Sequence, residues 1–217
     1  MTKNTIETTT ILDTAFIDTE AFRNIKKIPC LFAVDHVKHV TTTDINPKSA
    51  WVFTEAAVPT YKKDGTNVTV LHTGDVMIRR MVGAGKKPPA GYIEAELDPI
   101  TGRSFGVEPV AASGFAKMFA EAAEGRTLAP GTYELCGPKL NGNPEKLNRH
   151  ELLAHAAEVA VEIPDMTTID PADAWTVLEP IFADFKARGV EGVVWAGADG
   201  KRAKLRTKDF FGDPNRR

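Results

Sequence analysis

Val58-Pro59-Thr60-Tyr61-Lys62-Lys63-Asp64-Gly65-Thr66-Asn67-Val68-Thr69-Val70-Leu71-His72 sets two β-rich runs on either side of an Asp-Gly pair. Asp-Gly between such runs is a strong short-range hairpin signal. The spacing therefore predicts two antiparallel strands, Val58 to Lys63 and Asn67 to His72, turning at Asp64-Gly65 with Lys62 at the mouth of the turn. Taken alone, Lys-Lys-Asp-Gly reads as a solvated turn; what lies further along the chain gives it chemistry.

Outward from this stretch, Leu31 to Val37 and Ala50 to Phe53 are short and apolar and predict strands. Gly74-Asp75 marks a turn into a strand over Val76 to Val82, Gly83 to Pro89 is a loop, and Asp98-Pro99-Ile100-Thr101-Gly102 is the tip of another hairpin. Ser113 opens a helix through Ala123 that stops at Gly125, and Thr132 to Leu135 is a strand. Asp170-Pro171 opens an amphipathic helix with Ala174, Trp175, Leu178, Ile181, Phe182 and Phe185 on one face and Gly189 as its stop. Val190 to Trp195 and Arg202 to Thr207 flank a Gly197-Ala198-Asp199-Gly200 turn. His150 to Ile163 carries both helical and strand signals. The class is α+β with antiparallel sheets, and residues 1–28 form an N-terminal extension, with a short helix at Asp18 to Ile25, packed on a core of 29–217.

Composition agrees with one substantial core: 217 residues, 42% hydrophobic and 26% charged. A net charge of −2 excludes a uniformly basic coat, but from Ala198 to Arg217 seven basic residues stand against three acidic ones, a local +4 facing polyanions. Cys30 and Cys136 are isolated, which argues against zinc and disulfides and for a reduced cytoplasm. No stretch approaches the ~20 apolar residues of a membrane span, and no obligate protein partner is evident. His36 and His39 read as surface polar residues, and His150 and His155 show no partnering carboxylate or serine. The Lys86-Lys87 loop reads as solubilising or phosphate-contacting.

The chemistry rests on three separated runs. An amine attacks phosphorus only when unprotonated, so Lys62 needs positive charge or desolvation beside it. Lys204, Arg206 and a divalent cation supply that charge and neutralise a triphosphate. Glu134 and Glu191, at the ends of apolar strands, are candidates to bind ribose hydroxyls and to hold magnesium through its water shell. Asp64-Gly65 aims the lysine.

Together, Lys62-Lys63-Asp64-Gly65, Tyr133-Glu134-Leu135-Cys136-Gly137-Pro138-Lys139-Leu140-Asn141-Gly142-Asn143-Pro144, and Glu191-Gly192-Val193-Val194-Trp195 through Lys204 resemble the covalent nucleotidyltransferase superfamily, closest to its ATP-dependent RNA ligases. The resemblance spans roughly Val52 to Phe211. It implies two facing antiparallel sheets with flanking helices and a nucleotide-binding cleft, a nucleotidyltransferase (ATP-grasp-like) ligase core. It also implies that Lys62 carries AMP, Glu134 contacts ribose, Glu191 is tied to the metal, Lys204 contacts the α-phosphate, and Arg80, with Arg79 as the alternative, contacts phosphate or the RNA end. ATP, Mg2+ (Mn2+ as a substitute) and RNA with 5′-phosphate and 3′-hydroxyl ends are the implied substrates and cofactors, in an RNA-repair role. Arg206 stands where the pattern has a second lysine, keeping the charge but not the geometry. No aromatic lies between Leu152 and Ile163 to stack on adenine, and no C-terminal oligonucleotide-binding barrel is expected. The alternatives are a capping-type guanylyltransferase and a non-catalytic nucleotide- or RNA-end-binding module.

Overall fold

A computed structural model describes residues 25–35, 40–157 and 159–211. The expected helix at Asp18 to Ile25, His36 and His39 fall wholly or largely outside them. The fold is α+β with antiparallel sheets and a few helices. The chain divides into two compact units: Gly65–Ala157 with the segment ahead of Ile28 make the first, and Ile28–Asp64 with the chain after Ala157 make the second.

The second unit holds β1 (Phe32–Asp35) paired with β2 (Val40–Ile45), and a three-stranded sheet. In that sheet β10 (Gly192–Gly197) lies between β3 (Ala57–Lys62) and β11 (Arg202–Arg206). Opposed residues in an antiparallel pair face the same side and neighbours along a strand alternate. Tyr61, Val193, Trp195, Ala203 and Leu205 accordingly join one apolar core with Leu178, Phe182 and Phe185 of the helix Ala174–Arg188. That helix stops where Gly189 turns left-handed at φ 74°, as its sequence predicts. Ala50 to Phe53, expected as a strand, instead lies in a 3₁₀ turn over Pro47–Phe53. Asn46 caps it by accepting the Lys48 N–H at 3.0 Å, and Pro47 presets its first φ. That local signal outweighs strand propensity in a four-residue run.

The first unit is a six-stranded sheet, in spatial order β6 (Ile93–Leu97), β7 (Ser104–Pro109), β5 (Val76–Val82), β4 (Thr66–Val70), β8 (Gly131–Cys136) and β9 (Glu151–Ala154). Its core gathers Val68, Ile78, Tyr133, Leu135 and Leu152 under the helix Ala116–Ala123. Ser113, expected to cap this helix, lies in the turn ahead and accepts the Phe115 N–H at 3.1 Å, while the helix itself starts from Phe115 without a side-chain cap. The hairpins at Gly74 and at Asp98 to Gly102 form as expected, joining β4 to β5 and β6 to β7. The ambiguous His150 to Ile163 stretch resolves into β9, a 3₁₀ turn over His155–Ala157, and a bridge of Ala160 to Thr60.

The central hairpin does not form. β3 pairs with β10, while β4 pairs with β5 and β8. A two-residue type I′ turn needs positive φ at both central residues, and neither Asp64 nor Gly65 has it. Gly65 serves a different need: a Cβ there would sit 2.1 Å from the Leu135 carbonyl oxygen. Glycine permits close approach of β4 to β8, so Lys62-Lys63-Asp64-Gly65 is the link along which the chain leaves one unit for the other.

Candidate functional site

The sequence-predicted residues divide between the units: Lys62, Asp64, Glu191, Lys204 and Arg206 in the second, Gly65, Arg80 and Glu134 in the first. In the second unit, β10 brings three of them into register. Gly192 lies opposite Lys62 on one side and Arg206 on the other; one pair further on, Val194 lies opposite Thr60 and Lys204. These residues share the face turned away from the apolar core. Strand spacing puts the Lys62 and Arg206 backbones roughly 10 Å apart, with no side chain on Gly192 between them. Gly192 is obligatory for packing as well, because a Cβ would lie 2.1 Å from the Leu205 carbonyl oxygen.

Glu191 precedes β10 and is anchored there, its carbonyl accepting the Thr207 N–H at 2.8 Å. Its carboxylate receives the Lys62 ammonium at 2.5 Å, and the same Nζ donates to the Lys63 carbonyl at 2.9 Å. The side chains are 20% and 11% exposed, so water screens this pair weakly. Burial pushes the Glu191 carboxyl above the ordinary range; Lys62 pulls it back, and Asp64 adds to the rise. This half-sealed carboxylate lies within proton-transfer distance of the lysine amine.

Arg206 is committed to a neighbour. Its Nε and a terminal nitrogen reach the two Asp209 oxygens at 3.1 and 2.7 Å, and its backbone N–H adds a third bond at 2.7 Å. Burial opposes the charge, but the Asp209 pairing prevails and raises the guanidinium pKa further. Asp209, on the short helix Thr207–Phe211, escaped sequence reasoning although Arg-x-x-Asp at i and i+3 is a local signal for such a pair. Arg206 is thereby a fixed cation, as a two-point carboxylate bond holds arginine and not lysine.

In the first unit, β8 places Glu134 and Thr132 on the face opposite Tyr133 and Leu135. Glu134 Oε1 accepts the Gly65 N–H at 3.1 Å, and its Oε2 lies 3.2 Å from His155 Nε2, whose Nδ1 lies 3.0 Å from Thr132 Oγ1. Asn141 Nδ2 donates to the Gly65 carbonyl at 2.8 Å. The loop carrying it holds Lys139, Asn141, Asn143 and Lys146 at positive φ, a concentration of costly backbone in one short segment.

Both histidines without foreseen partners have carboxylates. His155 meets Glu134, and His150 meets Glu121 at 2.7 Å, with the Pro138 carbonyl 2.7 Å from its other nitrogen. Partners 21 and 29 residues away leave no spacing signal to read. The β5 register also separates the two arginines. Arg80 lies on the side of Ile78 and Glu108 and sits 3.9 Å from Glu108, whereas Arg79 lies on the side of Glu134. Burial lowers the Arg79 pKa, and the charges of Glu134 and Glu96 oppose that shift.

Among the described residues no three His, Cys, Asp or Glu side chains gather to hold a metal ion. Magnesium asks for less, one or two carboxylates beside substrate phosphates. Glu191 with Asp64, close enough to raise its pKa, fits that donor set. Cys30 and Cys136 are not joined in a disulfide, and no helix among the described residues is long and apolar enough to cross a membrane. No family model matches the chain, and no curated protein matches it.

Proposed function

We propose that this protein is an ATP-dependent RNA ligase working through a lysyl-AMP intermediate. The observation that carries the reading is the Lys62 amine held 2.5 Å from the partly buried Glu191 carboxylate, beside a sheet face that carries Lys62, Lys204 and Arg206. The motif resemblance supplies the nucleotide and the RNA ends.

In this reading Glu191 takes the ammonium proton, and Lys62 Nζ attacks the α-phosphorus of ATP. The P–N bond forms as the bond to pyrophosphate breaks. Lys204 and the Asp209-braced Arg206 stabilise the charge developing on the phosphates, a term strengthened by their fixed orientation. An RNA 5′-phosphate oxygen then displaces Lys62, leaving AMP joined to the RNA through a pyrophosphate bond. A 3′-hydroxyl displaces AMP and seals the strand, its proton passing to a base or to water. Magnesium would be held by Asp64 and the substrate phosphates beside Glu191, and would supply charge neutralisation.

Intact mass after incubating nucleotide-free protein with ATP and Mg2+ tests this. The expected result is a gain of one AMP, absent in Lys62→Ala. No gain overturns the ligase and leaves a non-catalytic binding module; a gain from GTP alone assigns a guanylyltransferase.

A further inference from the structure

Arg206 stands where the motif resemblance has a second phosphate-binding lysine, and its fork is spent on Asp209 at 3.1 and 2.7 Å. A guanidinium pinned in this way holds its charge in place but does not follow a moving ligand. Two residues on, the chain supplies another ammonium. Lys208 lies in the short helix Thr207–Phe211, whose backbone is fixed on both sides of it. Thr207 donates its N–H at 2.8 Å and its hydroxyl at 3.3 Å to the Glu191 carbonyl. Asp209 holds Arg206, and the Phe210 ring lies 4.4 Å from Trp175 and 5.1 Å from Phe182.

Lys208 itself is half-buried, and among the described residues no hydrogen bond or ion pair engages its ammonium. Its charge still reaches the Glu191 carboxylate, where it acts in the same sense as Lys62. An uncommitted ammonium on a rigid backbone, beside the reacting pair, is a cation prepared for an anion from outside the chain.

In-line displacement sets the leaving oxygen opposite the nucleophile. Lys62 enters from β3, and Lys204, which the resemblance gives to the α-phosphate, lies across β10 on β11. A phosphate chain directed away from Lys62 therefore runs past β11, where the chain turns at Thr207 into the helix carrying Lys208. The departing group gains charge as it moves, and the flexible stem of a lysine can move with it.

We propose that Lys208 binds the β- and γ-phosphates of ATP and follows the departing pyrophosphate, a role that rests on the lysyl-AMP reading. As the bond from Lys62 Nζ to the α-phosphorus forms, the bond from that phosphorus to the bridging oxygen breaks. The electron pair stays on pyrophosphate, whose added charge the Lys208 ammonium meets with a hydrogen bond. Lys204 serves the phosphate that stays, and Lys208 serves the group that leaves.

The test separates steps with and without pyrophosphate, using the whole protein and Lys208→Met. Adduct formation from ATP and Mg2+, read by intact mass, is expected to slow about ten- to a hundredfold, the worth of one hydrogen bond to a charged group. Removal of AMP from the adduct by added pyrophosphate should slow alike. Joining of RNA already carrying a 5′-adenylate to a 3′-hydroxyl end should keep its wild-type rate, because pyrophosphate takes no part in it. Lys208→Arg is expected to restore part of the loss. A wild-type rate of adduct formation in Lys208→Met, or a parallel fall in all three steps, overturns this role while leaving the ligase reading standing. Absence of any adduct in the wild type overturns both. Should the methionine variant not fold by circular dichroism, Lys208→Gln is put through the same three measurements and decides.

Discussion

Glu134 and Glu191 carry the same side chain at the edges of apolar strands, and the sequence gives them overlapping roles. Their surroundings separate them. Glu191 has a lysine ammonium on one oxygen and burial raising its pKa. Glu134 is divided between a backbone N–H and an imidazole, 14% exposed, in a network that fixes its orientation. A carboxylate bonded to an ammonium is placed for proton transfer; one held by a backbone donor and a ring is fixed in orientation. Local partners, rather than residue type, set the difference.

The sharpest way to break this contrast is Glu191→Gln. It removes the proton acceptor while keeping the shape, and adduct formation from ATP is expected to slow by about 10²–10⁴-fold, the range for a lost general base, in single-turnover mass measurements. The same variant tests the pKa. A carboxyl whose folded pKa is raised lends its stability below the unfolded value and loses it as pH rises through the folded value. Wild-type stability attributable to Glu191 therefore falls above about pH 4.5, and paired denaturation curves should show that slope missing in Glu191→Gln. A slope unchanged in the variant would show that burial does not govern this group.

The backbone beneath each carboxylate gives the next effect. Gly65→Ala and Gly192→Ala each drive a Cβ to 2.1 Å from a carbonyl oxygen, in the first and the second unit respectively. Each is expected to cost at least about 1–3 kcal/mol, as overpacking does, in urea unfolding. A neutral Gly65→Ala would return Asp64-Gly65 to a simple turn. His155→Ala comes third: it strips Glu134 of a partner and is expected to cost about 1–2 kcal/mol, with His155→Gln restoring part of it. The smallest effect separates the arginines. Arg80→Ala, breaking only a long contact to Glu108, should stay within about 0.5 kcal/mol, and Arg79→Ala should exceed it because Arg79 is the more buried and lies on the Glu134 face.

Most strands and both principal helices were legible because their signals are local. Gly189 stops a helix whatever surrounds it, Asp170-Pro171 stand in the turn just ahead of its first residue, Ala174, and Val76 to Val82 matches its predicted bounds. Failures occur where two signals compete locally, as in Pro47–Phe53, or where the partner is remote. Asp-Gly between two β-rich runs predicts a hairpin, yet β3 finds its partner 130 residues on, in β10. Arg79 against Arg80 was likewise undecidable from adjacent positions, since one residue of register exchanges the faces of a strand.

The sequence by itself determined the α+β class and the positions of most strands and of the two principal helices, because propensities and alternation act over a few residues. Tertiary structure alone decided that Lys62 meets Glu191, that Arg206 is braced by Asp209, that His155 holds Glu134, and that Gly65 serves close strand approach. Those outcomes depend on strand pairing and burial, which are settled by long-range packing of the apolar faces and leave no mark at fixed spacing along the chain.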